Sequence, residues 1–202
     1  MGKLMIGNNI ASPVIVNGSP TPSGKYTLLQ RISDDNGNEI GTVSGFFTDA
    51  NGVEYAVVCL DSQYRASSIA LVSVSVLEFP TTKYTSQLFW DMKDTSTSET
   101  QAILDYCSQN SCTSAACEHC RQYSFVIDGV TYYGQLPNIR ELADIYIRRS
   151  SIDETIVNGG NVWSSTQDGR NRQFRILDTG GISDTQNKTQ GMYVIPVLEI
   201  PN

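Results

Sequence analysis

Hydrophobic and polar positions along this chain follow a strand-like period first, then a helical period, and then a strand-like period again. Residues 45–60 contain two apolar runs on either side of Asn51-Gly52, a dipeptide typical of tight β-hairpin turns. Residues 69–77 alternate apolar and small polar side chains, which indicates a strand with one solvent-exposed face. The pattern therefore predicts a hairpin over residues 47–61 and a further strand after it.

Two later segments have apolar residues at helical spacing. Residues 97–107 are predicted to form a helix that begins with a capping box at Ser98. The stronger signal starts at Asn138, which is suited to be an N-cap, with Glu141 at the third helical position and an apolar stripe after it. We expect this second helix to end near Arg149.

Short strands are predicted between these helices and after them. A strand pair is expected at residues 123–132, with its turn at Asp128-Gly129, and more strands are expected at 162–166, 173–177 and 192–200. Strands, two helices and strands in this order predict an α+β domain with mixed antiparallel sheets.

The first 42 residues differ from the rest because they are rich in Gly, Asn, Ser and Pro, with turn-forming sequences at 17–24 and 34–38. Short strands joined by tight turns bury too little apolar surface to fold comfortably alone. We therefore predict a small β-rich attachment segment at 1–42 and a larger domain at 43–202. The alternative is that residues 1–42 contain the first strands of the same domain.

Three sequence motifs occur in a fixed order in the larger unit: GQLPNIREL at 134–142, VWSST at 162–166 and YVIPVLEI at 193–200. Together they resemble the Lcl C-terminal domain family, whose members resemble C-type lectins in fold and occur in bacterial surface proteins and phage tail or fibre proteins. The resemblance covers about residues 43–202. It implies a C-type-lectin-like domain with mixed antiparallel sheets and two helices.

The resemblance also implies how the domain closes. In such folds the last strand pairs with the first, so Phe46 and Val197 are expected to lie side by side. Leu136-Pro137 pre-sets the turn into the second helix, because proline tolerates a helix entrance and the residue before it avoids helical angles. Trp163, beside a serine pair, is expected to be a core residue rather than a platform for sugars.

Charge and composition exclude several functions. The 202 residues carry a net charge of −7 and have no run of Lys or Arg, so no nucleic-acid partner is expected. No apolar stretch reaches the ~20 residues of a membrane-spanning helix, and the start lacks the apolar core of a signal peptide. The sequence shows no phosphate-binding loop or zinc-peptidase helix, and its single histidine is His119, so an enzyme is not expected.

Four of the five cysteines lie close together around His119. They could supply a structural zinc site, although the spacing is not that of a common zinc finger; the alternatives are packed thiols or a single disulfide. A calcium-dependent sugar site is not expected, because Leu136 stands where sugar-binding C-type lectins have an acidic or amide residue before the proline. We therefore expect no cofactor. The four cysteines are Cys107, Cys112, Cys117 and Cys120.

The candidate ligand-binding surface is a polar segment in which arginines alternate with amides and an aspartate, followed by a second polar loop at 179–190. Arginine and amide groups suit recognition of carboxylates, hydroxyls or a partner's backbone. In phage receptor-binding proteins with lectin-like domains, the equivalent strands and loops contact the ligand. The alternative is a solvated hairpin without a ligand. The candidate residues are Gln167, Asp168, Arg170, Asn171, Arg172 and Arg175.

The expected function follows from these resemblances. Residues 3–15 are similar to the start of many gut-phage fibre and tail proteins. We expect a virion protein made in the host cytoplasm, whose N-terminal segment binds other virion proteins and whose lectin-like domain binds a bacterial surface glycan or protein. A symmetric homo-oligomer, for which we expect a trimer, would add avidity. The alternatives are a structural virion protein that contacts neighbouring subunits and a bacterial surface adhesin.

Overall fold

The computed structural model describes most of the chain, apart from its first 23 residues and several shorter gaps. For residues 154, 172–176 and 182–186 it describes the backbone only. None of the helices among the described residues has the length and apolar character needed to cross a membrane. The described ranges are 24–74, 78–81, 92–157, 161–167, 172–176 and 182–202.

The described residues form eleven strands and three α-helices, so the domain is α+β. In chain order, the elements are β1 (Arg31–Ser33), β2 (Glu39–Thr48), β3 (Glu54–Leu60), β4 (Ala66–Ala70), α1 (Ser96–Gln109), α2 (Ala115–Arg121), β5 (Ser124–Ile127), β6 (Val130–Tyr133), α3 (Ile139–Ile152), β7 (Val162–Gln167), β8 (Arg172–Ile176), β9 (Ile182–Asn187), β10 (Gly191–Val194) and β11 (Val197–Pro201).

The first sheet contains both ends of the described chain, in the antiparallel order β1-β2-β3-β11. The predicted hairpin is confirmed as β2 and β3, with the Asp49 carboxylate accepting the backbone N–H of Asn51 (2.8 Å) in the turn. The predicted pairing of Phe46 with Val197 is wrong: Phe46 lies opposite Ala56, and Val197 lies opposite Cys59. Because β1 pairs with β2, the terminal strand joins the sheet at β3 instead.

The predicted division at residue 42 falls inside β2 and is therefore corrected. Tyr26, Ile32 and Ile40 are buried in the same hydrophobic cluster as Val58 and Leu198. Because these side chains lose their contact with water only against the rest of the domain, residues 24–42 belong to it. For residues 24–42, the structure agrees with the alternative prediction, in which this segment contains the first strands of the same domain. Residues 1–23 lie outside the described ranges.

The second sheet has the order β4-β10-β7-β8-β9, in which β10 and β7 are parallel and the other pairs are antiparallel. The single strand predicted at 192–200 is divided at Ile195-Pro196: β10 belongs to the second sheet and β11 to the first. Proline cannot donate a backbone hydrogen bond, which favours the change of sheet at this point. The third sheet is the predicted hairpin β5–β6, with Asp128 (φ 52°) and Gly129 (φ 75°) in its turn.

The cysteine-rich region forms two helices, so the prediction of two helices for the whole domain is corrected to three among the described residues. Ser111 (φ 53°) adopts a left-handed conformation that ends α1, and the Ser114 side chain then caps α2. The N-cap of α1 is Thr95, three residues before the predicted Ser98. The capping box of Asn138 and Glu141 on α3 is confirmed, and the helix continues to Ile152.

Candidate functional site

The predicted ligand-binding segment lies where β7 leads into the β8–β9 hairpin. Arg172 and Arg175 belong to β8, where Arg172 pairs with Asn187 of β9 and Arg175 pairs with Trp163 of β7. Strand β9 is the last strand in the order of its sheet, so the hairpin forms one edge of the described fold. The other predicted ligand residues Asp168, Arg170 and Asn171 lie outside the described residues.

Gln167 is corrected from a surface ligand contact to a buried structural residue. Its side chain is fully buried, its Oε1 accepts the Phe79 backbone N–H (3.0 Å), and its Nε2 donates to the carbonyl oxygens of Phe79 and Thr81. Because both ends of the carboxamide are used, Gln167 fastens residues 79–81 to the end of β7. Gln167 is therefore removed from the set of predicted ligand-binding residues.

The three motifs of the family resemblance meet in the structure. The Ser165 N–H donates to the Pro137 carbonyl (2.8 Å), and the Gln135 N–H donates to the Val197 carbonyl (2.8 Å). The Ile139 N–H donates to Thr166 Oγ1 (3.1 Å) at the start of α3. These contacts join a helix entrance, a central strand and the last strand. The motifs therefore act as determinants of the fold.

Trp163 is confirmed as a core residue. Its side chain is fully buried, and its Nε1 donates to the Ile69 carbonyl (2.9 Å), so the polar group of the indole is satisfied. The ring belongs to a hydrophobic cluster that includes Leu71, Val194 and Cys117. It therefore joins β4, β7, β10 and α2, and it offers no exposed face to a sugar.

Glu199 is a buried acidic residue that binds the N-terminus of α1. Its carboxylate accepts the backbone N–H groups of Ser96 (2.8 Å) and Thr97 (2.9 Å) and the Thr97 hydroxyl (2.6 Å). The first N–H groups of a helix have no partners within the helix, and the helix dipole favours an anion there. Glu199 thus satisfies the helix end and fastens α1 to β11.

A second buried glutamate, Glu141, lies beside this contact. Its Oε2 accepts the Asn138 backbone N–H (3.0 Å) and a hydrogen bond from the Ser96 hydroxyl. Burial and the neighbouring Glu199 raise the pKa of the Glu141 carboxyl well above its usual range. A third glutamate, Glu99, accepts a hydrogen bond from the Ser165 hydroxyl. Together the three glutamates link α1, α3, β7 and β11.

These glutamates are enclosed, with Glu141 and Glu199 only 1% and 7% exposed, so a substrate has no access to them. The sequence predicted that Glu141 belongs to a capping box, but it did not predict that Glu141 is buried. It also gave no prediction of the contact that Glu199 makes with α1. One signal was available for Glu199, because it is a charged residue inside the otherwise apolar strand at 197–200. Such a residue is buried only when polar partners surround it.

The cysteines are packed thiols in the structure. All five are free and buried, and the described residues contain no group of His, Cys, Asp and Glu arranged to hold a metal ion. Both ring nitrogens of His119 have other partners, the Tyr64 carbonyl and the Gln122 amide (2.9 Å each). Burial raises the pKa of Cys59 to about 11 and that of Cys117 to about 12, so these thiols are poor nucleophiles at neutral pH.

This arrangement predicts that the native thiols are inert and that no metal contributes to stability. We expect the native protein to react negligibly with an aromatic disulfide reagent and all five thiols to react after unfolding in urea, because burial blocks access and disfavours the thiolate. We also expect a zinc chelator to leave the Tm unchanged. A marked fall in Tm on chelation would instead support a zinc site in the cysteine-rich region.

A cleft of about 310 Å³ lies at the other edge of the second sheet from the β8–β9 hairpin, near β4 and β10. The Arg65 guanidinium borders it but is already bound to the Asp153 carboxylate (2.9 Å) and the Leu60 carbonyl (3.2 Å). The other polar groups that line the cleft are hydroxyls, and one aromatic ring lies beside them. Such a lining suits an uncharged polar ligand. Residues around the cleft include Ser62, Arg65, Ser67, Thr155, Ile156 and Tyr193.

No protein-family model matches this sequence. No curated protein shows a significant match to it either. The resemblance to the Lcl C-terminal domain family therefore stays a prediction, and its functional meaning is a proposal.

Proposed function

We propose that this protein is a phage virion fibre or decoration protein whose C-type-lectin-like domain binds a bacterial surface glycan or protein. The observation that carries the proposal is that the three motifs of the resemblance meet through hydrogen bonds donated by their backbone N–H groups. The order of elements around them supports it as well: an opening hairpin, the helices α1 and α3, the strand β7 with its tryptophan, and a last strand that returns to the first sheet.

The β8–β9 hairpin is the proposed receptor-binding edge. The segment 167–175 contains three arginines in a chain whose net charge is −7, so it concentrates positive charge on an acidic protein. Arginine offers several fixed donors and binds carboxylates and hydroxyl clusters well. An acidic or hydroxyl-rich bacterial surface polymer is therefore a suitable ligand. The proposed contact residues are Asp168, Arg170, Asn171, Arg172 and Arg175.

The N-terminal residues complete the proposal. The similarity of residues 3–15 to the start of many phage fibre and tail proteins supports attachment of the N-terminal segment to other virion proteins. A homotrimer would present three copies of the hairpin, and repeated weak contacts with a polymer give high avidity. Size measurement of the full chain by light scattering tests the trimer.

Cell binding tests the receptor role. We expect the triple variant with Arg170, Arg172 and Arg175 changed to Ala to bind host cells at least about tenfold more weakly, because hydrogen bonds to charged groups contribute ~1.5–3 kcal/mol each. The measurement is a titration of labelled full-length protein on host cells. A control variant removes the same charge elsewhere: Lys25, Arg121 and Arg148 changed to Ala.

The outcomes separate the alternatives. If the first variant binds like the second, the arginine segment is not the receptor site; loss of binding in a cleft-filling Ser67→Trp variant would then place the site at the cleft. If the wild-type protein binds no cells and instead associates tightly with other virion proteins, the proposal is overturned in favour of a structural virion component.

A further inference from the structure

Lys188 is a buried lysine that the proposed function does not use. It follows β9 directly, and its backbone carbonyl accepts the Val72 N–H (3.1 Å). Its side chain is fully buried, with Nζ 4.2 Å from the centre of the Phe79 ring and 3.4 Å from Gln167 Oε1. A lysine is almost never fully buried unless its amine is paired, and here the amine contacts the Gln167 carboxamide.

The carboxamide of Gln167 is held in one orientation and polarised. Its oxygen accepts from both the Phe79 N–H (3.0 Å) and the Lys188 amine, and its nitrogen donates to two backbone carbonyls. The Phe79 N–H stays on the carbonyl oxygen while the Lys188 amine attacks, so it can stabilise the negative charge that develops there. The surrounding residues exclude water, which would otherwise compete as a nucleophile.

The amine is also prepared to act as a nucleophile. Burial lowers the pKa of Lys188 to about 8, so a useful fraction of the amine is neutral near neutral pH. The negative charge of Glu78, which is next to Phe79 in the chain, raises the pKa of this amine and so partly offsets the effect of burial. Glu78 is the carboxylate whose charge acts on this amine, and we assign it the role of proton carrier in the proposed reaction.

We propose that Lys188 and Gln167 become joined by an intramolecular isopeptide bond. The Lys188 Nζ attacks the Gln167 Cδ, an Nζ–Cδ amide bond forms, and the Cδ–Nε2 bond breaks. Glu78 accepts a proton from the attacking amine and delivers it to the leaving nitrogen, which departs as ammonia. Amine and carboxamide give amide and ammonia, so the reaction needs no oxidant, reductant or cofactor.

The bond would cross-link the base of the β8–β9 hairpin. Gln167 ends β7 and Lys188 follows β9, so the two residues, 21 positions apart, enclose the hairpin in a covalent loop. Closure of a loop lowers the entropy of the unfolded chain, as a disulfide does. The inference does not rest on the receptor role; it concerns how this hairpin is held.

Intact-mass spectrometry of the denatured full chain tests the bond. We expect the wild-type mass to be lower than the sequence mass by one ammonia molecule. We also expect trypsin not to cut after Lys188 and a branched peptide to carry both Lys188 and Gln167. A full sequence mass in both fresh and aged protein overturns the proposal.

Matched variants separate the bond from other losses of ammonia. Lys188→Met keeps the length of the side chain without the amine and should have its full mass, whereas Lys25→Met, at an exposed lysine, should still lose ammonia. Glu78→Gln should slow the loss. Asn-Gly sequences such as Asn36-Gly37 also lose ammonia by cyclisation, and a loss that maps to them overturns the proposal.

Discussion

Replacement of Trp163 with alanine is expected to lower the free energy of unfolding by about 3–5 kcal/mol, the range for truncation of a large buried aromatic residue. The indole is fully buried and touches residues from both helical and strand elements. Its removal leaves a cavity and also removes the hydrogen bond from the indole to the Ile69 carbonyl. Urea unfolding followed by far-UV circular dichroism measures the effect.

Two further variants calibrate this result. Trp163→Phe keeps an aromatic ring but loses the N–H donor. Its free energy of unfolding should therefore lie between that of the wild type and that of the alanine variant. Ile147→Ala removes apolar atoms from a side chain of α3 that is 64% exposed and should change stability by no more than about 0.5 kcal/mol. If Trp163→Ala costs no more than Ile147→Ala, Trp163 is not at the centre of this core.

Glu141 is expected to make the stability of the protein fall as the pH rises. Its pKa is raised in the folded state, mainly by burial and then by Glu199, so the folded state binds this proton more strongly than the unfolded state does. The resulting stabilisation is complete below the usual pKa of 4.5 and is lost as the pH rises through the raised pKa. One proton gives a slope of up to about 1.4 kcal/mol per pH unit.

Glu141→Gln should remove this part of the pH dependence. A glutamine resembles the protonated acid: its oxygen can accept from the Asn138 N–H and the Ser96 hydroxyl, and its amide can donate towards Glu199. We therefore expect this variant to match the wild type at acidic pH and to exceed it at alkaline pH. Urea unfolding across this range gives the difference curve.

Glu118→Gln is the matched control, because Glu118 is an exposed glutamate on α2. Its stability should follow that of the wild type across the pH range. Glu141→Ala, by contrast, loses the capping box and should be less stable at every pH. A wild-type minus Glu141→Gln difference that does not change with pH would show that Glu141 does not carry the linked proton.

The candidate site was predicted only in part from the sequence. The sequence singled out the polar segment 167–175, and the structure places its strand residues in β7 and in β8, which is one strand in from the edge of the second sheet. Gln167 belongs to the same polar run but faces inward, because the partner that satisfies its carboxamide, Phe79, lies 88 positions earlier in the chain. Polarity along a strand does not reveal such a distant partner.

The sequence by itself determined the local elements. The β2–β3 turn at Asn51-Gly52 and the capping box at Asn138 depend on residues a few positions apart, whose backbone preferences and hydrogen bonds are local. Only the tertiary structure decided that β11 joins β3 and that Glu199 and Lys188 are buried. Those outcomes depend on which distant groups share the interior, where a polar side chain is stable only among partners brought to it by the rest of the fold.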